Sequence, residues 1–167
     1  ILEDVPKKVK EYGKNTAFFS TNCSMQPPLI KSVFEEGAIY PQPCCPSPFH
    51  GFPAALEVNM EGHQGDALYL IEQVRALAAD KGMTGRMSTW PVPTNMMYIE
   101  AGSEYAIKWI KGEVKEKLDL EVIKECFKAY AKEVTNGQEV DMTVNKLEEN
   151  GKTYDNYLMV LQGFIDF

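Results

Sequence analysis

Cys23, Cys44, Cys45 and His50 are the residues whose types promise chemistry. Thiols and imidazole are soft donors, and four of them could make a zinc or thiolate site. Their spacing argues against it: Cys44 and Cys45 are adjacent, hence poor chelators of one ion, and no C-x-x-C pair occurs. A partly buried thiol lining for an apolar pocket is the preferred reading, with no metal and no cofactor. Cys44 or Cys45 could pair with His50 as nucleophile and base, but no third group is visible to orient the imidazole. Cys126 falls on the buried face of a helix and reads as core, while His63, in Glu61-Gly62-His63-Gln64-Gly65, reads as solvated.

A second set of residues could bind without reacting. Asn22, Ser24 and Gln26 offer donors and acceptors just before a helix N-terminus, a favourable place for a polar or anionic group. Asn22 and Ser24 could equally just form the turn and cap the helix. Phe49, Phe52 and Trp90 could stack on a planar ligand. Phe52 could instead plug its loop onto the core, so Trp90, between Thr89 and Pro91, is the better ligand wall. Trp109 lies in a long helix and reads as packing. Nucleophile elbows, phosphate loops and zinc-protease motifs are all missing. The expectation is a binding protein, not an enzyme.

These residues need a frame, and the prolines mark it. The stretch 39–53 holds five of the chain's 10 prolines. Proline lacks a backbone donor and fixes φ, so this stretch must be a stiff loop leaving a strand. A helix is expected over 1–13, with Asp4 as N-cap, followed by a buried strand, Thr16–Ser20. A helix over 27–36 carries Leu29, Ile30, Val33 and Phe34 and ends at Gly37. Ala38–Gln42 reads as a second strand, 66–81 as a helix ended by Gly82, and Arg86–Trp90 as a third strand. Helices follow over 94–111 and 119–134, the latter capped by Asp119. Alternation through Val140, Met142, Val144 and Leu147 suggests a strand, followed by the turn Glu149-Asn150-Gly151-Lys152, and Tyr157–Phe167 reads as either a strand or a short helix. Residues 54–65 and 153–167 are left unassigned.

That order of helices and strands predicts an α/β fold: a Rossmann-like, three-layer lobe with a mostly parallel sheet, right-handed crossovers and helices on both faces. Ligands of such sheets bind beyond the strands' carboxyl ends. Three loops would share that rim, Thr21–Gln26, Pro43–Pro53 and Thr89–Thr94.

Composition sets outer limits. The 167 residues are 44% hydrophobic and 25% charged, enough for one ordinary core, and residues 1–167 are read as a single α/β lobe. A net charge of −7 and no basic run argue against nucleic acid as a partner. No apolar stretch approaches the roughly 20 residues that cross a bilayer. The start at Ile1, without an initiator Met, suggests a piece of a longer or processed protein.

Thr16-Ala-Phe-Phe-Ser-Thr-Asn-Cys-Ser-Met25 resembles the second lobe of the type I periplasmic-binding-protein superfamily, with Cys23 where many members carry a ligand-binding Asp. Further motifs are Ile1–Pro6, Gly37–Pro41, Cys44–Pro48, His50–Pro53 and Thr89–Pro93. Together they resemble an uncharacterised bacterial lipoprotein family of that superfamily, found in Firmicutes and relatives, with some members labelled transcriptional regulators. The resemblance implies the C-terminal lobe of a two-lobed, hinge-closing binding protein. Its partners would be a small-molecule ligand, an N-terminal lobe of the same protein and an ABC-transporter permease. It also implies an extracytoplasmic, lipid-anchored protein, the anchor lying outside this chain. The alternative is a cytoplasmic ligand-sensing core of a transcriptional regulator. The expected ligand-binding residues are Asn22, Cys23, Ser24, Gln26, Cys44, Cys45, Phe49, His50, Thr89 and Trp90.

Overall fold

Glycines and caps set the helix boundaries. The computed structural model describes all 167 residues. Helix α1 (Asp4–Tyr12) takes Pro6 in its first turns and stops at Gly13. Asp4 lies in the first turn, with Glu3 at the cap position. Helix α2 (Gln26–Glu36) begins with two prolines and ends at Gly37, whose left-handed φ of 69° lets its N–H reach the Val33 carbonyl. Helix α3 (Phe52–Ala55) is a single turn inside the proline loop, and α4 (Ala67–Asp80) is capped by Asp66. Strand β1 (Ser88–Thr89) pairs antiparallel with β4 (Ile165–Asp166). Between them come α5 (Thr94–Ile110), α6 (Leu120–Val134), β2 (Met142–Glu149) and β3 (Lys152–Gln162).

The chain divides into two compact units, Ile1–Pro93 with Phe164–Phe167, and Thr94–Gly163. The core of the first unit gathers Ile30, Val33, Tyr40, Phe52, Ile71, Val74, Met83 and Met87 around the C-terminal Phe167. Tyr40 meets Phe52 edge-on at 5.6 Å, and Phe52 meets Phe167 at 5.0 Å. In the second unit α5 and α6 pack together, and β2 packs on α6. Asp119 caps α6 by accepting from the Glu121 and Val122 amides. The β2–β3 hairpin turns at Asn150 and Gly151, both at positive φ (51° and 74°), the geometry a two-residue hairpin loop demands.

The mostly parallel, Rossmann-like sheet expected from the element order does not form. The ladders are antiparallel, β1 with β4 and β2 with β3, and parallel pairing is confined to single bridges, Ala17 with Ile39 and Tyr40 with Met87. Thr16–Ser20, read as buried on both faces, instead leaves Phe19 53% exposed. Pro41 and Pro43 end the second extended segment, and Pro91 and Pro93 cut β1 to two residues, because proline cannot donate to a ladder. The apolar runs are real, but their parallel pairing stops at single bridges, and prolines cut short the second and third of them.

Candidate functional site

Cys23 opens a short 3-10 turn, Cys23–Met25, directly before α2. Asn22 builds that turn: its Oδ1 accepts from the Ser24 amide at 3.0 Å and from the Ser24 hydroxyl at 2.7 Å. Both side chains predicted to bind ligand are therefore engaged with each other. Gln26 is wholly buried. Its amide donates to the Ser20 carbonyl at 3.0 Å, and its carbonyl oxygen accepts from the buried Tyr40 hydroxyl. Gln26 is a strut that holds the Cys23 turn over the end of the Ala38–Tyr40 segment. Burial pushes the Tyr40 phenol well above its ordinary range, so it remains a donor.

The proline loop folds back on itself in successive turns. The Ser47 amide donates to the Cys45 carbonyl at 2.8 Å, and the His50 amide to the Ser47 carbonyl at 3.2 Å. Gly51 then lets this loop approach α2. Its φ is +88°, and a Cβ there would stand 2.9 Å from Ile30 Cδ1 and 3.0 Å from Gln26 Cβ. Only glycine satisfies both the conformation and the space. Trp90 adds a third fixing point, its Nε1–H donating to the Pro43 carbonyl at 3.0 Å.

The result brings the predicted soft donors together. Cys23 Sγ lies 3.0 Å from Cys45 Sγ and 3.9 Å from Cys44 Sγ, and Cys44 Sγ lies 3.9 Å from His50 Nε2. All four donor atoms fall within 4.8 Å of one another. Cys23 is exposed, and Cys44 and Cys45 are half-buried free thiols. Hydrogen bonding from Cys45, then from Cys44, holds the Cys23 thiol below its usual range. The reciprocal bond to Cys23, followed by burial and the Cys44 charge, pushes Cys45 up to about 12. Of this pair, Cys23 is the thiol more readily ionised.

The other predicted residues have different surroundings. Phe49 packs against the core cluster and Phe52 is fully buried in it. Thr89 is fully buried, and its hydroxyl has no partner. Trp90 is half-buried, its indole N–H committed to Pro43. Trp109, read as packing, is 50% exposed. His63 stacks on Tyr69 with ring centroids 3.7 Å apart and faces Asp66 at 3.5 Å. Cys126 is buried, as its helical position predicts. Sequence reasoning missed the roles of Gly51 and the Pro43 carbonyl. For Gly51 the available signal was a glycine among prolines, where a tight approach is common. It also missed an open groove of about 810 Å³ between α5 and α6 in the second unit, bordered by Met96, Glu104, Ile107 and Tyr130.

Residues 1–88, just over half of the chain, match the family described as "Protein of unknown function (DUF3798)", and the chain belongs to that family. All four clustered donors lie in the matched part. The fold is similar to that of a solved protein from Clostridium difficile 630 named "Putative transcriptional regulator", with a TM-score of 0.76 at 19% identity over 99% of this chain. This chain spans 44% of that protein's length. At such identity the likeness speaks to the fold alone. No curated protein matches the chain.

Proposed function

We propose that this chain is a ligand-binding unit of a longer protein and performs no chemistry of its own. The observation that carries the reading is the convergence of three loops in the first unit. The Cys23 turn meets the proline loop through sulfur contacts of 3.0 and 3.9 Å, and Trp90 clamps that loop at Pro43. Binding residues sit on loops that a scaffold holds rigid, and this corner has that character. His50 is the one candidate base near a thiol, at 3.9 Å from Cys44, and no other side chain bonds its imidazole to orient it.

Two settings fit such a unit. In one it serves an extracytoplasmic, lipid-anchored solute-binding protein that delivers a small molecule to an ABC-type permease. In the other it is the ligand-sensing core of a transcriptional regulator, a reading favoured by the name of the Clostridium difficile neighbour. The test is native mass spectrometry of the full-length protein from its own organism, with release of whatever is bound. A stoichiometric ligand, lost on substitution within the three loops, is the expected result. Binding that ignores those substitutions would overturn the assignment. Cell fractionation separates the settings: the membrane fraction supports transport and the cytosol supports regulation.

A further inference from the structure

We propose that Cys23, Cys44, Cys45 and His50 form a binding site for one thiophilic metal ion, of which zinc is the type. This rests on the reading of the three-loop corner as the ligand-binding side of the chain, and it names the chemistry of the ligand. The four donor atoms lie within 4.8 Å of one another, and three of their separations are 3.0, 3.9 and 3.9 Å. In a tetrahedral site with zinc–sulfur bonds of 2.3 Å, neighbouring sulfurs stand about 3.8 Å apart. The Cys23–Cys44 separation of 3.9 Å matches that spacing, and the Cys23–Cys45 pair must open from 3.0 Å. Cys44 Sγ and His50 Nε2, 3.9 Å apart, need only close slightly toward the sulfur–nitrogen spacing of about 3.5 Å that the shorter zinc–nitrogen bond gives.

The objection raised by adjacent cysteines falls away in three dimensions. Cys44 and Cys45 do not chelate alone. Cys23 reaches them from a loop beside α2, and the turns through Ser47 bring His50 back to Cys44. Gly51 and the Gln26–Tyr40 bond fix the two loops independently of any ion. The donors are therefore gathered before binding, which lowers the ordering cost.

Donor chemistry selects the ion. Three thiols and an imidazole, with no carboxylate among the four, disfavour calcium and magnesium and suit zinc or copper(I). Four protein donors fill a tetrahedral shell and leave no open position for a reacting water, in keeping with a chain that binds and does not catalyse. Cys23 is exposed, so the ion can be reached from solvent and exchanged.

The test is anaerobic titration of the reduced full-length protein with cobalt(II), followed by displacement with zinc(II). Expected are an equimolar end point, thiolate-to-cobalt charge-transfer bands, tetrahedral ligand-field bands, and their loss when zinc is added. Cys23→Ser and His50→Ala should each weaken the metal by at least the roughly 10–100-fold that even outer-sphere partners cost. Cys126→Ala, outside the cluster, should leave it unchanged. Failure of the reduced wild-type protein to take up one equivalent overturns the site without relying on any variant. So does uptake that Cys23→Ser leaves intact. A null titration of a protein that still releases a bound organic molecule defeats the metal site and spares the binding reading. Equimolar zinc with no organic ligand upholds the site and makes the ion the ligand itself.

Discussion

Cys23 and Cys45, separated by 22 positions in sequence, bring their sulfurs to 3.0 Å. A disulfide requires about 2.05 Å, so a modest approach of the two loops would close the bond. Cys23 is the exposed partner and the one whose thiol is held low, which makes it the attacking sulfur. Diamide, which accepts the two electrons and two protons released, should therefore yield a Cys23–Cys45 bridge. Peptide mapping without reduction would read it. Cys126, buried in its helix, should stay reduced. A dominant bridge to Cys44, whose sulfur is 3.9 Å from Cys23, would contradict the geometry. Zinc added beforehand should suppress the reaction by occupying the thiolates.

Gly51 offers a cleaner test of how the site is assembled. Gly51→Ala places a methyl 2.9 Å from Ile30 and 3.0 Å from Gln26 on a backbone with φ of +88°. Strain and overpacking together should cost about 1–3 kcal/mol. Gly62→Ala is the control, since Gly62 also has positive φ (+79°) but nothing within 4 Å of the added Cβ. It carries the backbone penalty alone. Thermal denaturation should rank Gly51→Ala well below Gly62→Ala, and only Gly51→Ala should change the rate at which Cys44 and Cys45 react with a thiol reagent. Equal effects from the two substitutions would mean that close approach to α2 does not position the loop.

How much of this was legible in the sequence depends on the range of the forces involved. Helices were readable because their signals are local: Gly37 supplies the left-handed stop of α2, and Asp119 the cap of α6. Asn150-Gly151 marked the turn for the same reason, though not the strand that follows it. The sheet was not readable. Thr16–Ser20 has the composition of a buried strand, yet pairing depends on partners elsewhere, and prolines 41 and 43 shorten the nearest one. The site shows the same division. Its donors could be named from their side-chain chemistry, but their meeting depends on Gln26, Tyr40 and Gly51, which the sequence reading gave no such part. Gln26 in particular has the position of a ligand contact in sequence and is instead spent inside the protein. Polar residues near a helix start satisfy the chain's own donors before they serve a ligand.

Tyr40→Phe tests that strut. The substitution keeps the ring against Phe52 but leaves the Gln26 carbonyl oxygen buried without its donor. An unsatisfied buried acceptor costs about 1–3 kcal/mol. Replacing both partners, Tyr40→Phe with Gln26→Met, should cost less than the sum of the single changes, because the Gln26 acceptor is no longer orphaned, while the Ser20 carbonyl loses its donor equally in the single and the double Gln26→Met variants. Denaturant midpoints of the two single variants and the double variant would give the coupling, expected at about 0.5–3 kcal/mol. Strict additivity would show that the hydroxyl and the amide act separately.

Asp66 provides a pH-dependent handle that lies outside the cysteine cluster. Its Oδ1 accepts from the Tyr69 amide at 3.0 Å, capping α4, and its Oδ2 faces His63 at 3.5 Å. The amide bond first, and His63 after it, hold the carboxyl below its ordinary value. A depressed carboxyl favours the folded chain when ionised. The contribution is therefore complete above the unfolded-state value of about 3.9 and is lost as pH falls through the lower folded value. The group is largely solvent-exposed, so screening keeps the effect small. Asp66→Ala should cost about 0.5–1 kcal/mol near neutral pH, the usual loss of an N-cap. Asp66→Asn should retain nearly all of the cap at neutral pH while flattening the decline in melting temperature below pH 4. If Asp66→Asn and the wild type lose stability in parallel as the pH falls, the carboxylate adds nothing beyond the cap.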